Sequence, residues 1–538
     1  MTIPSTESLE AEQASFDATV RDIEAWWATP RQQHVQRPWT ARTVAALRGS
    51  QTLPCVSSPA ALKLWALLKD HHRNKTSELT FGATDPVGVS QMAKYMRTVY
   101  VSGGLSGFSE NAYPGMDHAD YPWDTVPKVV DKVFRSQVWH DQRQRQYRMS
   151  LPAPERAAAE HWDYLMPIVA DGDMGFGSLT VSMKAAKALA ELGAAAIHID
   201  DLALGLKKFT TGQGRTVVPT AEYSDRVKAI RLQLDVLGAE TLIFARCDTD
   251  HAEFITSVAD ARDHAYVLGA TNPAFLDKQY TLQQAIAAAV QAGQSVADAR
   301  ASWMQEAGLA TFDEAAAAAA TAAGVPAAKV AAYTARTGYG TSLQQRRAAA
   351  QSVLGLDVPF DWELPRSAQG QYLFRQTVQT IVERALVVAP LSDLSWARMD
   401  QPNYHDLKAY HEAVAAALGP DRMFAFAWGG EWPFPASAGW TDERRRRASQ
   451  ILSDWGVVWQ VQPMYMIQGV NMEIERAAAL WTDGGMGAYY EQIQTPAVTR
   501  SPYKVDGYEK MTWCGGHLSD AFFSAVAGEE IAKKTVKE

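Results

Sequence analysis

The 538-residue chain predicts an α/β fold: a (β/α)8 TIM-type barrel with N-terminal helices, a helical insertion and C-terminal helices. Three observations predict it. Short, continuously apolar runs end in polar or glycine residues and alternate with helical stretches, the pattern of a parallel sheet covered by helices. Seven such runs occur, and seven or eight units in one domain favour a closed barrel over an open sheet. The interval from Asp248 to Asp393 is far too long for one helix and marks an insertion.

In chain order, residues 1–90 read as an N-terminal helical region, with helical spacing in SFDATVRDIEAWW. The barrel is expected over 91–254 and 376–480. Its strands are TVYVSG (98–103), PIVADGD (167–173), AAIHIDD (195–201), LIFARCD (242–248), DLSWA (393–397), MFAFAWGG (423–430) and VVWQVQP (457–463). Helices such as SLTVSMKAAKALAELG and SDRVKAIRLQLDVLG separate some of them. Residues 255–375 form the insertion, where the alanine-rich DEAAAAAATAAGVPAAKVAAY is strongly helix-forming. The tail, 481–538, is polar and partly helical and is a candidate for exchange between subunits.

Composition narrows the function. Fifty-one basic against 60 acidic residues give a net charge of -9, which disfavours nucleic acid and anionic membrane as partners. Three cysteines, Cys55, Cys247 and Cys514, have no metal-ligand spacing. The polar, acidic start is unlike a signal peptide, and no apolar run nears the roughly 18 residues that span a bilayer. A cytoplasmic protein is expected.

Polar residues at the C-terminal ends of barrel strands point into the active site. Asp171 and Asp173 end one strand, His198, Asp200 and Asp201 the next, and Arg246 and Asp248 a third. One aspartate after a strand is commonly a helix cap, and a lone histidine is commonly a core residue. The same placement at successive strand ends points to a site. Its oxygen-rich character selects Mg²⁺ or Mn²⁺ over Zn²⁺.

Several segments, in order, resemble the isocitrate lyase family, especially its longer form with a helical insertion after the fourth strand, and through it the phosphoenolpyruvate mutase/isocitrate lyase superfamily. They are QMAKYMRTVYVSG (91–103), DYPWDTVPKVV (120–130), WHDQRQRQ (139–146), PIVADGDMGFG (167–177), GAAAIHIDD (193–201), VVPTAEY (217–223) and HAYVLGATNP (264–273). The resemblance runs over nearly the whole chain. It implies the barrel, a Mg²⁺ (or Mn²⁺) ion, and a homotetramer whose C-terminal helices are exchanged. It implies metal-site and active-site acids at Asp117, Asp171, Asp173 and, shortened from Glu, Asp200. His198 and Arg246 also match family positions.

The departures cluster in the pocket. The family's Ser-Gly-Trp reads Ser102, Gly103, Gly104, and its loop Lys-Lys-Cys-Gly-His reads Lys207, Lys208, Phe209, Thr210, Thr211. The glutamate of Trp-Met-Glu-Thr falls at Arg398. The carboxylate-gripping Asn-x-Ser-Pro-Ser-Phe-Asn-Trp falls on Ala427 to Phe434, including Trp428, Glu431 and Trp432, and a family threonine falls near Pro463. The expected catalytic set is therefore His198, Arg246, Lys207, Lys208, Thr210 and Thr211. Substrate is expected on Ser102, Gly103, Gly104, Phe209, Arg398, Trp428, Glu431 and Trp432.

In the family, isocitrate cleavage is a retro-aldol reaction in which the loop thiol protonates the succinate half. Phenylalanine donates no proton, and threonine is a far weaker acid than a thiol. With Phe209, Phe426, Trp428, Trp432 and Phe434 read as pocket lining, the expectation is a Mg²⁺-dependent carbon–carbon lyase. Its substrate would be a 2-oxo or 2-hydroxy carboxylate whose second half is apolar or aromatic. The alternatives are a genuine isocitrate or 2-methylisocitrate lyase, and a non-catalytic paralogue acting as a partner or regulator.

Overall fold

The computed structural model describes residues 8–110, 120–205, 215–248, 252–399, 402–429, 434–499 and 516–528. Its centre is a barrel of eight parallel strands: β1 (Glu78–Phe81), β2 (Val99–Val101), β3 (Ile168–Asp171), β4 (Ala194–Ile199), β5 (Leu242–Cys247), β6 (Leu394–Ala397), β7 (Met423–Ala427) and β8 (Val457–Gln462). From β2 to β8 each strand pairs with its sequence neighbour, and β1 pairs with β8. A parallel bridge from Gly82 to Tyr100 joins β1 to β2 and closes the ring. The predicted (β/α)8 architecture is thus present.

The strands are short because each need only cross the barrel wall, and they are apolar because both faces are covered. All six residues of β4 are buried. Alternate side chains fill the interior: Tyr100, Val169, Ala196, Phe244, Trp396, Ala425, Trp459 and Val461 form one cluster. The intervening residues, such as Val99, Val101, Ile197 and Ile243, meet the helix layer.

The first barrel strand, Glu78–Phe81, falls inside the stretch read as the N-terminal helical region. Its sequence, ELTF, alternates in burial and has no continuous apolar run, so it carries only a weak strand signal. The preceding helix, Ser58–Asn74, packs Ala61, Leu64 and Leu68 into the interior cluster. At the N-terminal end of β6, Asp393 receives Arg31 Nη1 (2.7 Å), Arg231 Nη2 (2.7 Å), His34 Nε2 (2.9 Å) and the Ile243 N–H (2.7 Å). This buried ionic knot ties the N-terminal segment to the barrel.

Between β5 and helix Val378–Val388, which precedes β6, the chain forms six α-helices among the described residues, from Pro273–Lys278 to Leu343–Ala349. They pack into their own apolar clusters around Phe312 and Phe360 and around Phe275 and Trp303. The alanine run is two helices, Phe312–Ala322 and Ala327–Arg336, separated by Gly324 and Pro326. After β8, helix Asn471–Tyr489 buries none of its residues. No helix among the described residues is long and apolar enough to cross a membrane.

Candidate active site

The site lies at the C-terminal ends of β2 to β6. In the β3–β4 register Asp171 is opposite His198, and in the β5–β6 register Arg246 is opposite Trp396. These registers put four inward-facing side chains at the barrel mouth. His198 and Trp396 meet edge to face, with ring centres 4.8 Å apart. The Arg246 guanidinium stands 5.3 Å from the Trp396 ring centre.

Asp171 is held from several sides. Its Oδ2 accepts from the Tyr100 hydroxyl (3.1 Å) and the Gly103 N–H (2.9 Å), and its Oδ1 from the Asp173 N–H (2.9 Å). His198 Nε2 is 3.0 Å from Asp171 Oδ1 and 2.8 Å from the Tyr100 hydroxyl. The Tyr121 hydroxyl donates to Asp173. Burial, reinforced by the nearby aspartates, pushes both tyrosine hydroxyls well above their ordinary pKa, so they remain donors. The turn that carries the two aspartates is strained. Asp173 (φ 47°) and Phe176 (φ 57°) adopt the left-handed conformation that non-glycine residues avoid.

Gly103 shows how closely the acids converge. A Cβ placed on it would lie 2.8 Å from Asp171 Oδ2 and 2.9 Å from Asp173 Oδ2. Two carboxylates aimed at one small volume are suitable hard ligands for a divalent cation. Among the described residues no group of three or more His, Cys, Asp or Glu side chains forms a metal cage. Two protein ligands suit an ion such as Mg²⁺, which keeps several waters.

Among the described residues the expected acids are therefore only partly brought together. Asp200 is buried, its N–H donates to the Asp173 carbonyl (2.8 Å), and its Oδ1 accepts from the Leu202 N–H (3.3 Å). It does not complete a three-acid group with Asp171 and Asp173. Asp117 lies outside the described residues. Asp201 turns away from the mouth, taking Arg384 (2.9 Å), the Cys247 thiol (3.1 Å) and the Asp248 N–H (2.7 Å).

On the opposite side of the mouth, Arg246 donates Nε (2.6 Å) and Nη2 (2.7 Å) to Asp248. Arg398 Nη1 approaches the same carboxylate at 3.3 Å. Burial opposes the charge on Asp248, but Arg246 and then Arg398 outweigh it and hold the carboxyl far below its usual range. Burial likewise opposes the Arg246 charge, and Asp248 outweighs it.

Other expected residues have different surroundings. Ser102 caps helix Gly103–Ser109 by accepting from the Leu105 N–H (3.4 Å), and Gly104 is half-buried in that first turn. Trp428 is not with the acids or the arginines. Its Nε1 donates to Gln460 (2.8 Å), and its ring packs on Phe426, Phe434 and Trp440. That cluster lies between β7 and the outer helices. The reason is strand parity: Met423, Ala425 and Ala427 join the interior cluster, so Phe424, Phe426 and Trp428 face outward. Lys207, Lys208, Phe209, Thr210, Thr211, Glu431 and Trp432 lie outside the described residues.

The sequence reading missed three groups. Tyr100 lies within a predicted strand, two residues before Ser102, and the period-two alternation could have found it. Trp396 could have been found in the same way. Tyr121 sits in an irregular stretch before helix Thr125–Ser150, and no local pattern marks it.

A parallel barrel whose mouth sets paired acids on β3 against arginines on β5 and β6 has the plan of a barrel enzyme site for small anionic molecules. The sequence matches the isocitrate lyase family over residues 19–535. The chain is 48% identical over 526 residues to the mitochondrial 2-methylisocitrate lyase of Schizosaccharomyces pombe, covering 98% of this chain and 99% of that one. It is 36% identical to the isocitrate lyase of Oryza sativa, covering 96% and 91%. It is 32% identical to the mitochondrial 2-methylisocitrate lyase of Hypocrea atroviridis, covering 98% and 94%. The chain belongs to the isocitrate lyase family.

Proposed function

We propose that the protein is a divalent-metal-dependent carbon–carbon lyase that cleaves a 2-hydroxy tricarboxylate by a retro-aldol step, preferring 2-methylisocitrate to isocitrate. The observation that carries this reading is the end-to-end 48% identity with a 2-methylisocitrate lyase. The site agrees with it. Asp171 and Asp173 would hold the cation, which when bound supplies Lewis-acid polarisation of the substrate oxygens. Tyr100 and Asp171 fix the His198 ring, and Arg246 offers charge to a carboxylate.

In the proposed step the proton of the substrate hydroxyl is removed and the carbon–carbon bond breaks to give a 2-oxo acid. The electron pair left on the succinate carbon then takes up a proton. Lys207 and Lys208 are proposed to bring charge over that half, and Thr210 and Thr211 a hydroxyl, since the loop carries no thiol. Gly104 stands where the family resemblance places a tryptophan. The smaller residue there is proposed to favour a substrate that carries a methyl on its carbinol carbon. An apolar second half has no support from the described aromatic residues, because Phe426, Trp428 and Phe434 pack in the outer cluster.

The test is to supply Mg²⁺ and either tricarboxylate and to follow products by NMR. Pyruvate and succinate should form from 2-methylisocitrate, with a kcat/KM about tenfold or more above that for isocitrate, since one methyl in a fitted pocket is worth about that much. Faster glyoxylate release from isocitrate would reverse the preference. No product from either would make the non-catalytic paralogue the better reading. A homotetramer with exchanged C-terminal helices belongs to the same proposal. The exposed Met472, Ile474, Trp481 and Met486 on helix Asn471–Tyr489 support it, and sedimentation checks it. Cytoplasmic residence stands against relatives named mitochondrial, and cell fractionation decides.

A further inference from the structure

Between β7 and β8 the chain carries the run RRRRAS (444–449). A solvated helix face is the ordinary reading of such a run, and the fold uses two of its arginines. Arg444 stands 3.8 Å from the Tyr404 ring centre and donates Nη1 to the Gly439 carbonyl (2.7 Å). Arg445 donates Nη1 to the Phe434 carbonyl (2.6 Å) and Nη2 to Asp442. The other two are displayed. The exposed Arg446 side chain has no hydrogen-bond or ion-pair partner among the described residues, and Arg447 comes no nearer to Glu443 than 3.8 Å. Ser449 follows this pair, and no other serine or threonine of the chain has arginine both two and three residues before it. Its carbonyl accepts from Gln460 Nε2 (2.8 Å) and Ser453 Oγ (2.9 Å), whereas its half-buried hydroxyl has no hydrogen-bond partner among the described residues. Helix Asp442–Arg446 buries none of its residues. Helix Ala448–Asp454 starts at a break at Arg447 (φ -105°, ψ 10°) and buries Leu452 and Ser453, in its second turn. Helices this short are marginal by themselves, so the first turn that carries Ser449 can open at small cost while the second stays anchored.

We propose that Ser449 is a phosphorylation site for an arginine-directed serine/threonine kinase. Kinases choose substrates by charge pattern, and an acidic kinase cleft would take the two displayed guanidiniums, Arg446 and Arg447, and bring Ser449 to ATP. In the transfer the Ser449 hydroxyl oxygen bonds to the γ-phosphorus, and its proton passes to the base of the kinase. The bond from that phosphorus to the bridging oxygen breaks, and ADP leaves. The product is tolerated electrostatically. Arg445 and Arg446 lie four and three residues before Ser449, the spacing at which helical side chains meet, so the new dianion has cations beside it. The inference is independent of the lyase reading, since it uses no residue of the mouth.

The test is to incubate the native full-length protein with Mg²⁺, ATP and the catalytic subunit of an arginine-directed kinase, and to locate phosphate by peptide mass spectrometry. The wild type should take one phosphate per chain, on Ser449. Ser449→Ala should take none there, and Ser449→Thr should restore it; mapping on the wild type serves even if Ser449→Ala does not fold. Replacing both Arg446 and Arg447 with Gln should slow the initial rate about tenfold or more, as for lost charge-assisted contacts. Three results overturn the inference. The first is phosphate elsewhere with Ser449 unmodified. The second is phosphate on Ser449 of the heat-unfolded chain but not of the native one, which would show that the fold withholds the site. The third is an undiminished rate in the double arginine variant.

Discussion

Replacing Gly103 with alanine should disable the acid pair without touching either aspartate. The added methyl would lie 2.8 Å from Asp171 Oδ2 and 2.9 Å from Asp173 Oδ2, and it would also run into the Tyr121 hydroxyl. Contacts this close require something to move. Backing the chain away lengthens the 2.9 Å bond from the Gly103 N–H to Asp171, while swinging Tyr121 aside removes a donor from Asp173. Overpacking typically costs about 1–3 kcal/mol, and a hydrogen bond to a charged group contributes about 1.5–3 kcal/mol. The two overlap, so the expected loss of stability is about 2–4 kcal/mol. Urea unfolding measures it, with Gly338→Ala as control, because that position has nothing within 4 Å of a Cβ. Calorimetry with Mg²⁺ should show at least about tenfold weaker binding, as for disturbed metal surroundings generally. A Gly103→Ala protein within about 0.5 kcal/mol of wild type and with unchanged Mg²⁺ affinity would refute the steric argument.

Three further outcomes are expected. Asp171→Ala should abolish calorimetric Mg²⁺ or Mn²⁺ binding while retaining the far-UV circular dichroism of the barrel, and equal binding would remove Asp171 from the metal site. Asp393→Asn should cost about 3–5 kcal/mol in urea, because Arg31 and Arg231 would be left buried without their anion. Burial opposes the Asp393 charge, but the arginines outweigh it and hold the carboxyl well below the usual range. Its contribution is therefore full above the unfolded carboxylate pKa of about 4 and is lost as pH falls further, so the variant should differ least from wild type in acid. His411 is buried, its Nδ1–H donates to the Leu407 carbonyl (2.7 Å), and burial lowers its pKa to about 4. The unfolded chain then binds the extra proton first, so stability should fall as pH drops from about 6.5 towards 4. His411→Leu should flatten that part of the profile, and an unchanged slope would show that His411 is not its source.

The sequence by itself determined the parallel barrel and the places where its chemistry collects. A buried parallel strand is a local run of apolar residues, and the residue that ends it is necessarily at the mouth, so Asp171, His198 and Arg246 were legible without coordinates. What depended on contacts between distant segments was not. The strand Glu78–Phe81 has too few apolar residues to announce itself, and it belongs to the barrel because β8 and Gly82 complete its pairing. Trp428 was read as pocket lining from a counted offset, whereas strand parity turns it outward. Tyr121 reaches Asp173 across 52 residues, and Arg398 reaches Asp248 across 150. Such pairs leave no periodic trace in the chain, because a hydrogen bond between residues on different strands is specified by where the closed sheet brings their ends together. The sequence supplies the charged groups at the strand ends, and only the closed barrel decides which acid faces which arginine.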